Sequence, residues 1–240
     1  MRAATSILPL TVEGLSFAVD GRKLLDGLSF TLPQGGVTAI IGPNGAGKSL
    51  TLRLCHGLLA PTSGRASWSL EAGAMAGRRR HAMVFQRPVM LRRSGRANIS
   101  HAIAAAGFGA VADRTEAALA RFGLGPLAER PARMLSGGEQ QRLALARAWA
   151  LEPEVLFLDE PSSHLDHGAT RQIEAIIADL AAEGLTILMT THDFSQARRL
   201  AQRVLFLHRG RLVEDAQTES FFSAPATPEA RAFIAGDLLW

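Results

Sequence analysis

The sequence has 240 residues, 47% of them hydrophobic and 20% charged, with a formal net charge of +4 at pH 7. This length and apolar content allow one substantial buried core and exclude an intrinsically disordered chain. The longest apolar run, residues 102–112, is too short to span a bilayer, and the single cysteine excludes an internal disulfide, so we expect a cytosolic protein.

The N-terminal third of the sequence contains several strand-like segments. Residues 11–17 and 24–32 flank a polar turn at Asp20, Gly21 and Arg22 and predict an antiparallel hairpin or meander. Residues 37–41 are apolar and rich in β-branched side chains, which predicts a buried strand. The following segments predict a helix at 50–59, a turn at 61–64, a short strand at 66–70, a loop at 73–80 and a strand at 82–85.

The middle of the sequence, residues 87–135, is rich in alanine and predicts helices at 98–106 and 113–122. We interpret it as a helical subdomain inserted into one domain, 1–240, whose core is formed by residues 1–86 and 136–240. Strand-like and helical segments alternate after that insertion, which implies a largely parallel sheet and an α/β fold. The predicted segments are a helix from 136 to about 151, a strand at 155–158, a helix at 168–182, strands at 185–190, 203–208 and 211–214, and small helices to the end.

One short segment between the strand at 37–41 and the next helix fits the pattern G-x-x-x-x-G-K-[ST] at every fixed position. It consists of Gly42, Pro43, Asn44, Gly45, Ala46, Gly47, Lys48 and Ser49. Its glycines let successive backbone N–H groups converge on phosphate oxygens, and the helix adds its positive N-terminal end. We predict that Lys48 reaches the β- and γ-phosphates and that Ser49 places its hydroxyl on Mg²⁺. The alternative is a Gly-rich turn that opens a helix, but the flanking strand and helix favour nucleotide binding.

Two adjacent carboxylates, Asp159 and Glu160, follow the apolar strand at 155–158. Ligands of α/β sheets bind at the carboxyl ends of the strands, and a buried carboxylate pair needs a cation. We therefore predict that Asp159 holds Mg²⁺ and that Glu160 polarises the water that attacks the γ-phosphate. An ordinary acidic turn before Pro161 is the alternative.

Ser136, followed three residues later by Glu139, predicts a capping box at a helix start. Gly137 and Gly138 in the first turn each cost up to about 1 kcal/mol relative to alanine. That cost is understandable if another group must approach the backbone closely. We therefore predict that Ser136, Gly137 and Gly138 form a second phosphate site.

Together with the segment Thr191, His192 and Asp193, these motifs resemble the ATP-binding cassette of ABC transporters over essentially the whole chain. The resemblance implies a P-loop NTPase fold that binds ATP and Mg²⁺ and dimerises head to tail. Each ATP would lie between the phosphate loop of one copy and Ser136, Gly137 and Gly138 of the other. By the same resemblance, His192 contacts the γ-phosphate, Asp166 lies at the dimer interface, and Gln86 binds Mg²⁺ and reports the nucleotide state to the membrane subunits.

The resemblance also implies partners and a location. Residues 87–100 would contact a coupling helix of transmembrane permease subunits at the cytoplasmic face of the inner membrane, and a periplasmic or extracellular binding protein would deliver the cargo. Residues 84–94 and 236–240 are most similar to ATPases of tungstate-type oxyanion importers, with phosphate importers next. Molybdate is kept as an alternative cargo. A soluble ABC ATPase in nucleic-acid repair or iron–sulfur assembly and an assembly scaffold with little turnover are the alternatives.

Several further features bear on these alternatives. Arginine clusters at 78–80, 92–93 and 198–199 carry no interleaved aromatic residues for base stacking, so solvated surfaces are favoured over nucleic-acid contacts. The family usually stacks an aromatic ring on adenine, and the matching position is Val19, with Phe17 two residues earlier. His164 stands where a small residue is common, and no third ligand accompanies it and His167 to indicate a metal site.

Overall fold

The structure is a computed structural model that describes residues 6–69 and 80–237. Within these residues the predicted α/β architecture is confirmed. The strands are β1 (Leu10–Val19), β2 (Arg22–Leu32), β3 (Val37–Ile41), β4 (Ser63–Trp68), β5 (His81–Val84), β6 (Val155–Asp159), β7 (Thr186–Thr190), β8 (Arg203–His208) and β9 (Arg211–Gln217). The helices are α1 (Lys48–His56), α2 (Gly95–Ala105), α3 (Val111–Arg121), α4 (Gly137–Trp149), α5 (His167–Ala182), α6 (Phe194–Leu200), α7 (Thr218–Ser223) and α8 (Pro228–Ala235).

The central sheet has the strand order β5-β6-β7-β3-β8-β9, in which β9 is antiparallel to β8 and the other neighbouring pairs are parallel. Every residue of β3, β6 and β7 is buried, as expected of a parallel sheet that is covered on both faces. Because parallel strands end at the same edge, the residues that follow β3, β5, β6 and β7 are brought together there.

The second sheet is antiparallel with the order β2-β1-β4, which confirms the predicted N-terminal hairpin. Two predicted boundaries near this sheet are wrong. Ser63 and Gly64 begin β4 instead of forming a turn, and a Cβ on Gly64 would lie 2.2 Å from the Gly14 carbonyl oxygen, so this glycine permits close strand approach. The helix predicted to reach residue 59 ends at His56, because Gly57 adopts a φ of 79° and caps it.

Two hydrophobic cores lie on the two faces of the central sheet. Ala39 and Ile41 of β3 pack into the larger core with residues of α2–α6, whereas Ile40 packs into the core shared by α1 and the antiparallel sheet. Alternate residues of one strand therefore stabilise both layers. Cys55 of α1 belongs to the second core, and burial raises the pKa of its thiol to about 12.

Between β5 and α4 the chain forms α2, α3 and two 3₁₀ turns, Gly125–Leu127 and Ala132–Met134. Both helices begin earlier than predicted, and Ser94 caps the first turn of α2 by accepting a hydrogen bond from the Ala97 N–H. Buried Asn98 accepts from the Leu91 N–H at 3.0 Å and donates to the Ser94 carbonyl at 2.9 Å, which fixes the segment between β5 and α2.

Some sequence-based predictions lie outside the described residues. They are the strand end at residue 70, most of the loop at 73–80, the arginines at 78–79 and the last three residues of the tungstate-like ending. Within residues 6–69 and 80–237, none of the helices has the length and apolar character needed to cross a bilayer.

Candidate functional site

The segment between β3 and α1 is a tight loop held by neighbouring strands. Gly42 and Gly47 have φ values of 150° and 100°. A Cβ on Gly42 would lie 2.0 Å from the Leu207 carbonyl oxygen of β8, and one on Gly47 would lie 2.3 Å from Leu25 Cδ2 of β2. Both positions therefore require glycine. No side chain of the described residues caps α1, so its first N–H groups can bind an anion.

Lys48 is folded back over this loop. Its side chain is largely buried, with a relative exposure of 6% for the residue, and Nζ donates hydrogen bonds to the carbonyl oxygens of Gly42 at 2.8 Å and Pro43 at 3.1 Å. Burial lowers the pKa of Lys48, while the carboxylates of Glu160 and Asp159 act in the opposite direction. An ammonium group has three N–H donors, so one remains for a ligand above the loop.

Ser49 and Asp159 meet next to Lys48. Ser49 Oγ donates to Asp159 Oδ1 at 2.7 Å, and Thr190 Oγ1 donates to the same oxygen at 2.8 Å. Hydroxyl and carboxylate oxygens are the hard ligands that Mg²⁺ prefers, so this pair fits the predicted metal role. Thr190 was missed in the sequence analysis. The available signal was a polar residue at the end of a buried strand, and in the sheet Thr190 pairs directly with Asp159.

Glu160 is contacted by two other predicted site residues. His192 Nδ1 lies 3.0 Å from Glu160 Oε2, and Gln86 Nε2 donates to that oxygen at 3.3 Å. Glu160 has a φ of 45°, a left-handed conformation that is uncommon outside glycine, and its N–H donates to Thr190 Oγ1 at 2.9 Å. Gln86 after β5 and His192 after β7 thus converge on one carboxylate oxygen of Glu160, which follows β6.

The start of α4 contains the predicted capping box, which is confirmed. Ser136 Oγ accepts from the Glu139 N–H at 3.4 Å, and Glu139 Oε2 accepts from the Ser136 N–H at 2.7 Å. The bond from the Ser136 backbone is the main cause of the lowered pKa of Glu139. A Cβ on Gly138 would lie 2.7 Å from Ala169 Cβ of α5, so Gly138 is explained by packing within the chain and does not by itself indicate an external ligand.

The remaining predicted residues lie apart from the phosphate loop of their own chain. Asp166 caps α5 by accepting from the Ala169 N–H at 2.8 Å. Among the described residues, no hydrogen bond or ion pair joins Asp166 or the Ser136 turn to the loop at 42–49. Val19 is exposed, with a relative exposure of 47%, whereas Phe17 packs partly buried against the core beneath β1.

Comparisons with known proteins identify a matching family model and similar sequences. A family model described as "ABC transporter" matches residues 25–163. A phosphate import ATP-binding protein of Natronomonas pharaonis is 36% identical, with 96% of this chain and 88% of that protein covered. A nickel import ATP-binding protein of Rhodobacter capsulatus is 39% identical, with coverages of 84% and 86%, and a methionine import ATP-binding protein of Caulobacter vibrioides is 39% identical, with coverages of 91% and 69%.

Solved structures show the same fold. A subunit of a Clostridium perfringens ABC transporter complex, cbiO1, superposes with a TM-score of 0.79 and 30% identity and covers 90% of each chain. An ATP-binding subunit of an ABC transporter gives a TM-score of 0.81 at 26% identity, covering 95% of this chain and 100% of the other.

Proposed function

Because this chain belongs to the ABC transporter family, we propose that it is the ATP-hydrolysing subunit of an import system that powers uptake of an oxyanion, tungstate foremost. As a member of that family it uses ATP with Mg²⁺ and works with a second copy and with permease subunits. One observation carries the catalytic proposal. The phosphate loop with its uncapped helix, the Ser49–Asp159 pair, and Glu160 with its two partners all lie at the same edge of the sheet.

Each residue has a distinct role in the proposed reaction. Lys48 and the N–H groups of the loop bind the phosphates, and Ser49 and Asp159 would hold Mg²⁺, which supplies positive charge next to the transferred phosphoryl group. Glu160 accepts the proton of the attacking water as general base. The contacts of His192 and Gln86 with Glu160 Oε2 favour a fixed carboxylate orientation. In this proposal His192 also contacts the γ-phosphate, and Gln86 also binds Mg²⁺.

Dimerisation completes the site in this proposal. Ser136, Gly137 and Gly138 of a second copy would cover the triphosphate, with Asp166 at the same interface. The inserted subdomain, residues 87–135, would transmit closure to the permease. This contact with the permease is supported by large apolar side chains that are exposed beside Gln86. Phe85 is partly exposed, and Val89 has a relative exposure of 70%. A chain that docks in this way acts as a peripheral protein at the cytoplasmic face of the membrane.

The cargo proposal rests on similarity of particular segments. Residues 84–94 and the last residues are most like those of tungstate-type importer ATPases, and the relative from Natronomonas pharaonis is named for import of phosphate, another oxyanion. Other relatives are named for import of nickel, methionine or cobalt, so the oxyanion class needs a direct test.

The nucleic-acid alternative loses part of its support. Arg199 pairs with Glu174 at 2.7 Å, and the Arg198 guanidinium lies 4.5 Å from the centre of the Phe222 ring. Both arginines of this cluster therefore have partners within the chain.

The activity and the cargo are tested in one series. ATP hydrolysis is measured for the chain alone, with DNA or RNA, and with its permease in proteoliposomes, for wild type and Glu160→Gln. We expect stimulation by the permease and near-complete loss in the variant. Cells that lack the chain should lose uptake of labelled tungstate, and Glu160→Gln should not restore that uptake. Unlabelled molybdate and phosphate are added as competitors of the labelled tungstate. Stimulation by nucleic acid alone, or unchanged tungstate uptake with lost nickel uptake, would contradict the proposal.

A further inference from the structure

The side chain of Gln196 connects two loops that carry site residues. Gln196 lies on α6 and has a relative exposure of only 1%. Its Nε2 donates to Ser162 Oγ at 2.6 Å and to Glu174 Oε1 at 3.1 Å. Both amide hydrogens are therefore used, as a buried amide requires.

One of these acceptors is itself firmly held. Arg199, one turn further along α6, binds buried Glu174 of α5 through two hydrogen bonds, Nη2 to Oε1 at 2.7 Å and Nε to Oε2 at 3.0 Å. The hydrogen bond to Glu174 is the main cause of the raised pKa of Arg199. A bidentate pair of this kind has a defined geometry. The anchored carboxylate thus orients the Gln196 amide, and the second N–H is directed at Ser162.

Ser162 belongs to the turn that carries Glu160. The Ser163 N–H donates to the Glu160 carbonyl at 3.1 Å, and the Leu165 N–H donates to the Ser162 carbonyl at 3.3 Å. The first of these turns contains both Glu160 and Ser162, so a shift of Ser162 should change the backbone of Glu160, whose left-handed conformation must be maintained by its surroundings.

His192 is connected to the same glutamine from the other side. The next residue, Asp193, caps α6 by accepting from the N–H groups of Ser195 at 2.7 Å and Gln196 at 3.1 Å. The path from Glu160 through Ser162, Gln196 and Asp193 to His192 is closed by the 3.0 Å contact between His192 and Glu160. This ring borders a cavity of about 210 Å³ that is lined by residues of both loops.

We propose that Gln196 is a positioning residue that sets the distance and orientation between Glu160 and His192. The inference rests on the proposed ATPase function, since it concerns the general base of that reaction. Gln196 contacts neither Glu160 nor His192 through its side chain, so the side chain acts through Ser162, whereas its backbone N–H supports Asp193 at the start of α6. Its loss should slow the chemical step while leaving nucleotide binding at Lys48 and Ser49 unchanged.

The test compares steady-state MgATP hydrolysis of Gln196→Leu and Ser162→Ala with wild type, well below the melting temperature of each variant. We expect kcat to fall between about fivefold and a hundredfold in both variants, because small misplacements of a reacting group are costly. KM for ATP should stay within about twofold. Ser162→Thr keeps the hydroxyl and should retain kcat within about twofold of wild type.

Gln202→Leu is the matched control. The Gln202 side chain accepts from the Val37 N–H at 2.6 Å, at the opposite edge of the sheet, so this variant also loses a glutamine hydrogen bond without altering the Glu160 turn. We expect Gln202→Leu to lower the melting temperature and to keep kcat near that of wild type.

A double variant separates positioning from general destabilisation. If Gln196 acts through Ser162, Gln196→Leu combined with Ser162→Ala should have the same kcat as either single variant. If the kcat losses of the two single variants multiply in the double variant, the positioning role is overturned. It is also overturned if Gln196→Leu has wild-type kcat while Glu160→Gln is inactive. Either result leaves the ATPase proposal standing. A wild type that does not hydrolyse MgATP would overturn both.

Discussion

The two glycine-containing helix starts of this chain differ in one physical respect. At α1 no described side chain caps the first turn, and Gly47 leads into it in a left-handed conformation. At α4 the chain caps itself, because Ser136 and Glu139 satisfy each other's backbone N–H groups. The first helix start offers free donors to a phosphate, whereas the second has already satisfied two of its donors.

This difference indicates an order of events. A single copy should bind the triphosphate through α1 and Lys48, because those donors are unsatisfied or only partly used. A phosphate would find fewer unsatisfied N–H groups at the start of α4 than at the start of α1. The start of α4 should therefore bind a nucleotide only when a second copy brings it to one that is already bound.

Lys48→Ala should have the largest effect. Removal of a charged donor from the phosphate loop should lower kcat by about a hundredfold to a thousandfold, measured by phosphate release. The chain offers a matched control because its only other lysine is Lys23, an exposed residue that pairs with Asp26. Lys23→Ala should keep wild-type activity. A Lys48→Ala variant within a few-fold of wild type would remove the distinction between the two helix starts.

The two glycines of α4 should respond in opposite ways to alanine. Gly138→Ala forces a Cβ to 2.7 Å from Ala169 and should cost about 1–3 kcal/mol of unfolding free energy. Gly137→Ala meets Leu165 Cδ2 at an ordinary 3.4 Å and lies in a helix, so it should be neutral or stabilising by up to about 1 kcal/mol. Denaturant unfolding of both variants measures the difference. Equal costs would show that packing against α5 is not what requires Gly138.

Ser136→Ala removes the N-cap of α4 and should cost about 1 kcal/mol of unfolding free energy. No corresponding side-chain cap exists to be removed from α1 within the described chain. ATP binding by a single copy should be unchanged, as measured by equilibrium binding of labelled ATP at protein concentrations where sedimentation shows only monomers. A loss of monomer affinity in Ser136→Ala would mean that α4 contributes before dimerisation.

The smallest predicted effect is a pH dependence of the α4 cap. The folded pKa of Glu139 is lowered below its ordinary value of 4.5, so its contribution to stability is present above pH about 4.5 and is lost as the pH falls through the lowered folded pKa. Because the group is largely exposed, the contribution should stay below about 1 kcal/mol. The stability difference between wild type and Glu139→Gln should shrink on acidification, and a difference that grows would contradict the capping role.

Much of this fold was predictable because several local signals agree. The buried strands β3, β6 and β7 are continuous apolar runs, and the G-x-x-x-x-G-K-[ST] pattern placed the loop between a strand and a helix. The turn predicted at Gly64 is wrong, because a glycine that permits close strand approach has the same sequence signal as a glycine in a turn.

The parts of the candidate site that escaped prediction depend on contacts between distant residues. Thr190 lies 31 residues from Asp159 and Gln196 lies 34 residues from Ser162, and only the strand register and the packing of α6 on α5 bring these pairs together. The glycines of α4 were predicted to serve a ligand, yet their sequence cannot distinguish that role from contact with α5.

The central claim is that α1 of one copy and α4 of another hold the same triphosphate. The most direct measurement is sedimentation velocity of Glu160→Gln with and without MgATP, beside the same variant carrying Lys48→Ala. We predict a dimer only when MgATP is present and Lys48 is intact, and a monomer in the other three samples. A Glu160→Gln chain that stays monomeric at saturating MgATP, or that dimerises equally without nucleotide, would contradict the claim.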